Sequence, residues 1–535
     1  MRMRCTTLLL LVSPFVLLVA VAYLQWGTVG LPALPPSPPP TPETAAEPYG
    51  FPAWLRLTHY VNFLFLILLI RSGLQILMDH PRLYWNVHCT PGTEWLRLTP
   101  VEVPKDRVWT AKDDSRSLSP WIGLPGYRHT VGMARHWHFL SVLFWVGNGL
   151  VFMVLLCSTE QWQRLVPTSW QIVPNAWDVF VHYATFHLPP EPDGFYRYNA
   201  LQQLAYFGVV FVLAPLAMLT GPAMSPAFTA RFTWYPKLPG NRQIGRSLHF
   251  LIMGAFLAFV FMHVTMVVLT GCVRNMNHIV MGTNDTNPVG LYLGLLGIGV
   301  VILLNVCANW MAWRHPRAVQ HTAKAIVTPV MRCLLDRAAP RAEFRREDVS
   351  PFFWANGKVP TCDAWQMLVA NGFRDYRLQV YGLVENPVEL SLDTLQAMGK
   401  KTQITLHHCI QGWSGIASWG GLPLAELVKL VRPTPRAKAV VFYSFGEGAE
   451  GGQFYDSLSI ENAMHLQTLL AYEMNDEPLT HLHGAPLRLR VENQLGFKMV
   501  KWIQAMAFVE SVTSINQGEG GYNEDIEYFG ELADI

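Results

Sequence analysis

The sequence predicts an α-helical transmembrane bundle, a four-helix core with flanking helices, followed by a soluble mixed α/β domain. Three observations carry this. The chain is 51% hydrophobic and only 15% charged, against about 25% charged residues in soluble domains. Apolar runs recur up to residue 312, each near the ~20 residues that cross a bilayer as a helix. Beyond residue 340 the texture changes to short β-rich runs separated by Gly, Pro and Asn, which read as strands and turns. A chain of 535 residues also exceeds one ordinary core and divides into domains.

The apolar runs fall at 6–25, 57–78, 137–157, 200–219, 248–271 and 289–312. The first follows two arginines and reads as a signal anchor or a signal peptide within residues 1–30. Residues 31–50, rich in Pro, Ala and Thr, read as a semi-rigid linker. The transmembrane domain then takes 51–315, a second linker 316–345, and the soluble domain 346–535. Loop charges orient the bundle. Arg2 and Arg4, the loop from Arg82 to Arg135 (with Arg97, Lys105, Arg107, Lys112, Arg116 and Arg128), the loop with Arg231, Lys237, Arg242 and Arg246, and the stretch Arg314, Arg317 and Lys324 fall on one side. The alternate loops are poor in Lys and Arg: residues 158–198 hold Arg164 and Arg197, and residues 272–288 hold Arg274. The basic side is the expected cytoplasmic face of the plasma (inner) membrane, and the soluble domain belongs to it. A net charge of +2 gives no basic footprint for nucleic acid. The eight cysteines include no C-x-x-C pair, which removes zinc ribbons, ferredoxin-type clusters and c-type haem attachment.

Four histidines in the apolar runs form a pattern. His59 opens the second run, His138 the third, and His249 and His263 share the fifth. Fourteen residues at about 100° each fall about 40° short of four turns, so His249 and His263 share a face about 21 Å apart. The topology then places His59 and His263 near the outer surface, and His138 and His249 near the inner one. Imidazole ligates haem iron, and ionisable residues inside membranes are functional candidates by default. Two bis-histidine haem sites result. His136 competes with His138. His182 and His187, in an outer loop, read as interfacial residues or as the lining of a quinone pocket.

The stretches Arg56–Leu77, Arg135–Met153 and Gly245–Gly271 resemble the prokaryotic diheme b-type cytochrome subunits that anchor hydrogenases, formate dehydrogenases and thiosulfate-reductase-like enzymes. The resemblance covers residues 55–315. It implies two b-type haems, electron exchange with membrane quinone, and ligands at His59, His138, His249 and His263.

The densest chemistry in the soluble part is Leu406-His407-His408-Cys409-Ile410-Gln411-Gly412-Trp413-Ser414-Gly415. A cysteine between a strand and a Gly-containing turn can present a thiolate to a soft or high-valent metal. Alone, it reads more readily as a buried structural thiol. Its context, Ser350–Lys358, Tyr376–Gln396, Cys409–Val428 and His483–Ile503 in that order, resembles the sulfite oxidase family of molybdopterin enzymes, above all its bacterial protein-methionine-sulfoxide reductase branch. The resemblance implies molybdenum on Cys409 and pterin contacts at Ser444, His483, Arg488 and the Lys498–Lys501 segment. Arg488, Lys498 and Lys501 suit the pterin's phosphate. The reductases carry Asn where this chain has His483, and the upstream arginine of the sulfite pocket has no counterpart near Lys400 and Lys401. His407 and His408 are unusual there and could contact substrate or pterin. A twin-arginine signal is absent, in keeping with a cytoplasmic domain.

The reading is a membrane-bound molybdenum oxidoreductase that couples quinone or quinol through two b haems to oxygen-atom transfer on a small oxyanion or sulfoxide. The alternative is a haem-only electron-transfer module whose C-terminal domain docks a partner.

Overall fold

The computed structural model describes the chain except for residues 1, 4, 35–49, 105–108, 128–129, 189–193, 336–342, 449–450, 519, 522–527 and 530–535. Most of the 31–50 linker, and Lys105, Arg107 and Arg128, lie outside the described residues. Among the described residues five helices are long and apolar enough to cross a membrane. With the first helix, α1 (Cys5–Val29), they are α2 (Ala53–Asp79), α3 (Val131–Ser158), α4 (Ala200–Met224), α5 (Arg242–Leu269) and α6 (Pro288–Arg314). The described apolar part of α1 is the shorter Ser13–Val29.

Local chemistry sets the helix starts. Asn199, Asn241 and Asn287 cap α4, α5 and α6 by accepting backbone N–H bonds, and Pro288 opens α6, as N-caps and first-turn prolines do. Leu150, Phe261 and Leu296 project outward and are exposed, a face that lipid would cover. Polar cross-links tie α2 to α3: Trp145 Nε1 donates to Asn62 Oδ1 at 2.8 Å and Asn148 Nδ2 to the Thr58 carbonyl at 3.0 Å. Within α4, Gly208–Leu213 is a π-helical turn, a device frequent at functional sites.

Residues 316–345, expected as linker, include a further helix, α7 (Pro316–Leu335). Its Val319 buries against Met133 of α3, Ala312 of α6 and Phe529 from the C-terminal end. The helix follows from an apolar stripe that the sequence hides among Arg317, His321, Lys324 and Arg332.

The C-terminal domain is built from β1 (Arg377–Gly382), β2 (Val388–Ser391), β3 (Lys401–His408), β4 (Ser414–Pro423), β5 (Ala439–Glu447), β6 (Gln453–Ser459), β7 (Thr468–Met474), β8 (Glu477–Pro478), β9 (Arg488–Val491) and β10 (Ile503–Val509). One sheet runs β8-β7-β4-β3, with β9 also paired to β7; the other runs β2-β1-β10-β5-β6. Among the described residues only β1 and β10 pair in parallel. Leu378, Val380, Phe442, Leu470, Leu489, Met506 and Phe508 fill the core between the sheets. β3 and β4 form a hairpin in which His407 faces Gly415 and His408 faces Ser414, so Cys409–Trp413 is its turn.

That turn docks on the membrane bundle. The loop from His80 to Thr130 and the first residues of α5 form the platform. Arg242 Nη1 and Gln243 Nε2 donate to the Gly412 carbonyl at 3.0 and 3.3 Å, Gln411 Nε2 to the Asp79 carbonyl at 3.3 Å, and Trp354 Nε1 to the Cys89 carbonyl at 2.7 Å. Tyr84, Cys89, Ala111 and Val131 from the membrane side share one apolar cluster with Trp354, Ile410, Trp413 and Trp419. Gly412 has φ 106°, and a Cβ there would meet Arg246 Nε at 3.4 Å. Glycine serves both the left-handed turn and the close approach.

Candidate active site

The bundle brings the four predicted histidines together as two pairs. His59 and His263 have ring centres 6.3 Å apart, and His138 and His249 6.5 Å. In three of them Nδ1 meets a hydroxyl: His138 with Ser72 Oγ at 3.0 Å, His249 with Thr220 Oγ1 at 2.8 Å, His263 with Tyr206 OH at 3.3 Å. This leaves Nε2 of each for the partner across the gap. Ser72, Thr220 and Tyr206 were not legible as site residues in the sequence. His136 is directed elsewhere: Nδ1 lies 2.7 Å from the Gly132 carbonyl and Nε2 3.1 Å from Gln320 Nε2 of α7. His182 Nε2 bonds the Pro32 carbonyl, and the His187 ring packs on Trp26.

The second site is a cavity at the seam between the two domains. The soluble domain contributes Cys409, His407, Arg488, Lys501, His483 and Trp502; the membrane domain contributes Asp79, Lys112 and Val131. Cys409 is 4% exposed, its backbone closing the turn with Trp413 and Gly412 and its Sγ 3.7 Å from Gln411 Oε1. Burial pushes this thiol up to about 12, so only a metal replacing its proton would hold it as thiolate at neutral pH. Arg490 Nη1 lies 3.0 Å from His407 Nδ1, and burial together with the neighbouring arginine charges lowers that imidazole well below its usual range. Burial also lowers His408, whose Nδ1 has no partner.

The basic residues divide. Arg488 donates to the His483 carbonyl at 2.9 Å and lies 4.7 Å from the Trp419 ring centre, but its Nε is buried without a partner. Lys501 donates to the Asn356 and Leu482 carbonyls at 2.5 and 2.9 Å. Burial first, then proximity to Arg488, lowers the Lys501 ammonium well below its usual range. Lys498, expected at the phosphate, instead bonds Asp456, both side chains fully buried, because its position in the 496–498 turn aims it into the domain. Ser444 Oγ donates to the Lys501 carbonyl at 2.7 Å and accepts from Gly446 N at 2.9 Å; it positions Lys501. Arg490, on the same strand face as Arg488 and 4.2 Å from the Trp419 ring centre, was missed by sequence reasoning.

The comparisons assign both halves. The family described as prokaryotic cytochrome b561 matches residues 50–281, and the oxidoreductase molybdopterin binding domain matches 364–515. The chain joins a b561-type cytochrome domain to a molybdopterin-binding oxidoreductase domain. Among curated relatives, YedZ1 of Azospira oryzae, a proposed protein-methionine-sulfoxide reductase subunit, is 36% identical over 29% of this chain and 54% of its own length. The protein-methionine-sulfoxide reductase catalytic subunit MsrP of Xanthomonas campestris is 33% identical over 35% of this chain and 62% of its own. MsrP of Gluconobacter oxydans is 35% identical over 25% and 47%. The chain spans about half to three fifths of the length of these relatives.

The residues present fit the cofactors of both domains, b haem and a molybdenum pterin. The rings of the two histidine pairs, with centres 6.3 and 6.5 Å apart, leave room between them for one haem iron that both imidazoles of a pair would ligate. The hydroxyls at Nδ1 are the outer partners that orient metal-bound imidazoles. In the molybdopterin-binding domain, Arg488, whose Nε has no hydrogen-bond partner, and the strongly depressed Lys501 are buried basic groups whose charged forms a phosphate would favour and bond. Among the described residues no three His, Cys, Asp or Glu side chains could hold a metal unaided; a metal here brings further ligands with it, as a porphyrin or a pterin does.

Proposed function

We propose that this chain is a self-contained membrane reductase: a quinol gives up electrons at the His59/His263 end of the bundle, and a sulfoxide or small oxyanion receives them at Cys409. The observation that carries this is the seam. α3 and α5, which bear His138 and His249, both begin at the Cys409 cavity. Val131 lines that cavity, and Arg242 holds its turn. Each lies seven residues, about 10 Å of helix, before the histidine on its own helix. Bound there, b haem passes single electrons and molybdenum exchanges an oxygen atom in a two-electron step. The relatives named for methionine sulfoxide support a sulfoxide. The overall change is then sulfoxide plus two electrons and two protons to sulfide plus water; the quinol supplies the two electrons and releases its two protons at its own end of the bundle, and the two protons used at Cys409 come from water on that side.

His59, His138, His249 and His263 would hold two haems, and Cys409 the molybdenum. Arg488 and Lys501 would grip the pterin's phosphate, with His483 beside them: its Nε2–H donates to the Phe353 carbonyl at 3.2 Å, and its Nδ1 lies 2.8 Å from Thr480 Oγ1. His407, packed against Trp413 and Phe353 and held by Arg490, would orient the substrate's oxygen. Covalent linkage keeps donor and acceptor at high effective concentration. The test is metal content and turnover of the detergent-purified protein. About one molybdenum and two haem irons per chain, with reduced haem reoxidised by a sulfoxide, is the expected result. Haem without molybdenum from a cofactor-competent host overturns the enzymatic reading.

A further inference from the structure

We propose that the cytochrome domain roofs the Cys409 cavity and limits it to small free oxo-substrates, shutting out sulfoxides still carried by a folded protein. The inference rests on the reading of Cys409 as the site of turnover and names the substrate class of that site.

Asp79, from the end of α2, Lys112, from the short helix Ala111–Asp114, and Val131, at the start of α3, line the cavity together with Cys409 and Arg488. They are part of the membrane domain, yet they line the same space as the proposed metal ligand. Cys409, Gln411 and Trp413 are 4%, 4% and 1% exposed, although they form a hairpin turn, an element that ordinarily lies at a surface. The membrane domain supplies that cover.

The roof is fastened all round. Besides the bonds from Arg242, Gln243 and Gln411, Gln243 Nε2 donates to Ser414 Oγ at 3.2 Å, Ala111 N to the Ala355 carbonyl at 2.9 Å, and His88 Nδ1 lies 3.0 Å from Ser350 Oγ. The helix carrying Lys112 is itself anchored from behind. Arg82, 1% exposed, bonds Asp114 Oδ2 at 2.5 Å and Glu94 Oε1 at 2.9 Å. Breaking a buried, multiply bonded arginine is costly, so the roof does not lift readily. A methionine sulfoxide in a folded protein brings its own backbone and neighbours to within one side-chain length of the metal, and the roof occupies that volume. A free sulfoxide or a small oxyanion needs only the cavity. Lys112, Arg488 and Lys501 on its walls favour an oxygen-first approach of a polar S=O group or an anion.

The holoenzyme decides this. Reduced with dithionite, it is mixed with dimethyl sulfoxide, free methionine sulfoxide, a tripeptide containing methionine sulfoxide, or a folded protein with peroxide-oxidised methionines. kcat/KM is expected to fall at least 100-fold from the free amino acid to the folded protein. Values within threefold of each other overturn the roof. If no substrate reacts, the reductase reading fails, and a second measurement still decides the roof. In pterin-free protein held for hours at about pH 10, where a small fraction of this buried thiol is ionised, Cys409 is expected to react with iodoacetamide but to resist a maleimide on a polyethylene glycol of several kilodaltons, as read by peptide mapping. Equal labelling by both overturns the proposal. The double variant Arg242→Ala/Gln243→Ala, which releases the turn, is expected to narrow both ratios; unchanged ratios count against these tethers as the fastening.

Discussion

His136 and His138 lie two residues apart on α3, about 200° of rotation, and so face different neighbours: Gln320 of α7 for the first, His249 of α5 for the second. His138→Ala or His249→Ala should therefore remove about half of the haem iron, whereas His136→Ala should leave it unchanged; a haem stain and a reduced-minus-oxidised spectrum read both. Thr220→Ala should loosen the same haem by about 10- to 100-fold, the usual effect of removing an outer partner of a metal-bound histidine. The histidine pairing was legible in the sequence because fourteen residues and a membrane leave little freedom. Thr220, Ser72 and Tyr206 were not, since hydroxyls in apolar helices carry no periodic signal that separates a histidine's partner from a residue bonding its own helix. Lys498 was misplaced for a related reason: a basic residue next to a glycine turn can face either way, and only the fold showed Asp456 waiting inside. Lys498→Met should accordingly cost about 3–5 kcal/mol by stranding a buried carboxylate, seen in the melting temperature. Lys501→Met, which strands only the neutral Asn356 and Leu482 carbonyls, should cost less stability and lower the molybdenum content.

At the level of elements, the β3–β4 hairpin and the turns around it hold several imidazoles that the fold keeps neutral. Burial, reinforced by Lys501 and Arg488, lowers His483 to about 4; burial with Arg246 and Arg82 lowers His80, and both His80 nitrogens are unpartnered. A histidine whose folded pKa lies below its unfolded value of about 6.5 binds fewer protons when folded, so stability rises with pH through that window. It is complete above pH 7 and is lost as pH falls from 6.5 toward 4, by roughly 3 kcal/mol for His483 alone. The melting temperature should be flat between pH 7 and 8 and drop steeply below 6, and His483→Gln should flatten part of that drop; an equal slope in the variant would assign the effect elsewhere. The strands around Cys409 were readable from β-branched runs and turn residues. α7 and its contact with Phe529 were not, because they depend on a docking that joins residues some 200 positions apart, where Gln320 Oε1 accepts from Phe529 N at 2.8 Å.

For the whole molecule, the soluble domain sits at the end of the bundle that carries His138 and His249, and the side of the membrane this end faces is the remaining question. The orientation expected from loop charge counted Arg82, Arg242 and Arg246 as free inner cations, but the structure engages all three in the seam: Arg82 with Asp114 and Glu94, Arg242 with Gly412, Arg246 with the His80 and Arg82 carbonyls. Part of the charge that looked like a topogenic signal is thus a docking surface. The asymmetry survives their removal. Arg116, Arg231, Lys237, Arg314 and Arg317 remain at this end. At the other end Arg164 is itself buried, donating to the Gly50 carbonyl at 3.0 Å, and Arg56 donates to the Val280 carbonyl at 2.5 Å; Arg197 and Arg274 are the further basic residues there. The positive-inside rule therefore still predicts a Cys409 cavity on the cytoplasmic side. A fluorescent protein fused after Ile535 should be bright and an alkaline phosphatase fused there inactive. An active phosphatase would reverse the bundle and place the Cys409 cavity outside the cytoplasm. Quinol oxidation and sulfoxide reduction lie at opposite ends of the bundle in either orientation, so the reversal would move the His59/His263 pair to the inner surface and exchange the side that gains protons with the side that loses them.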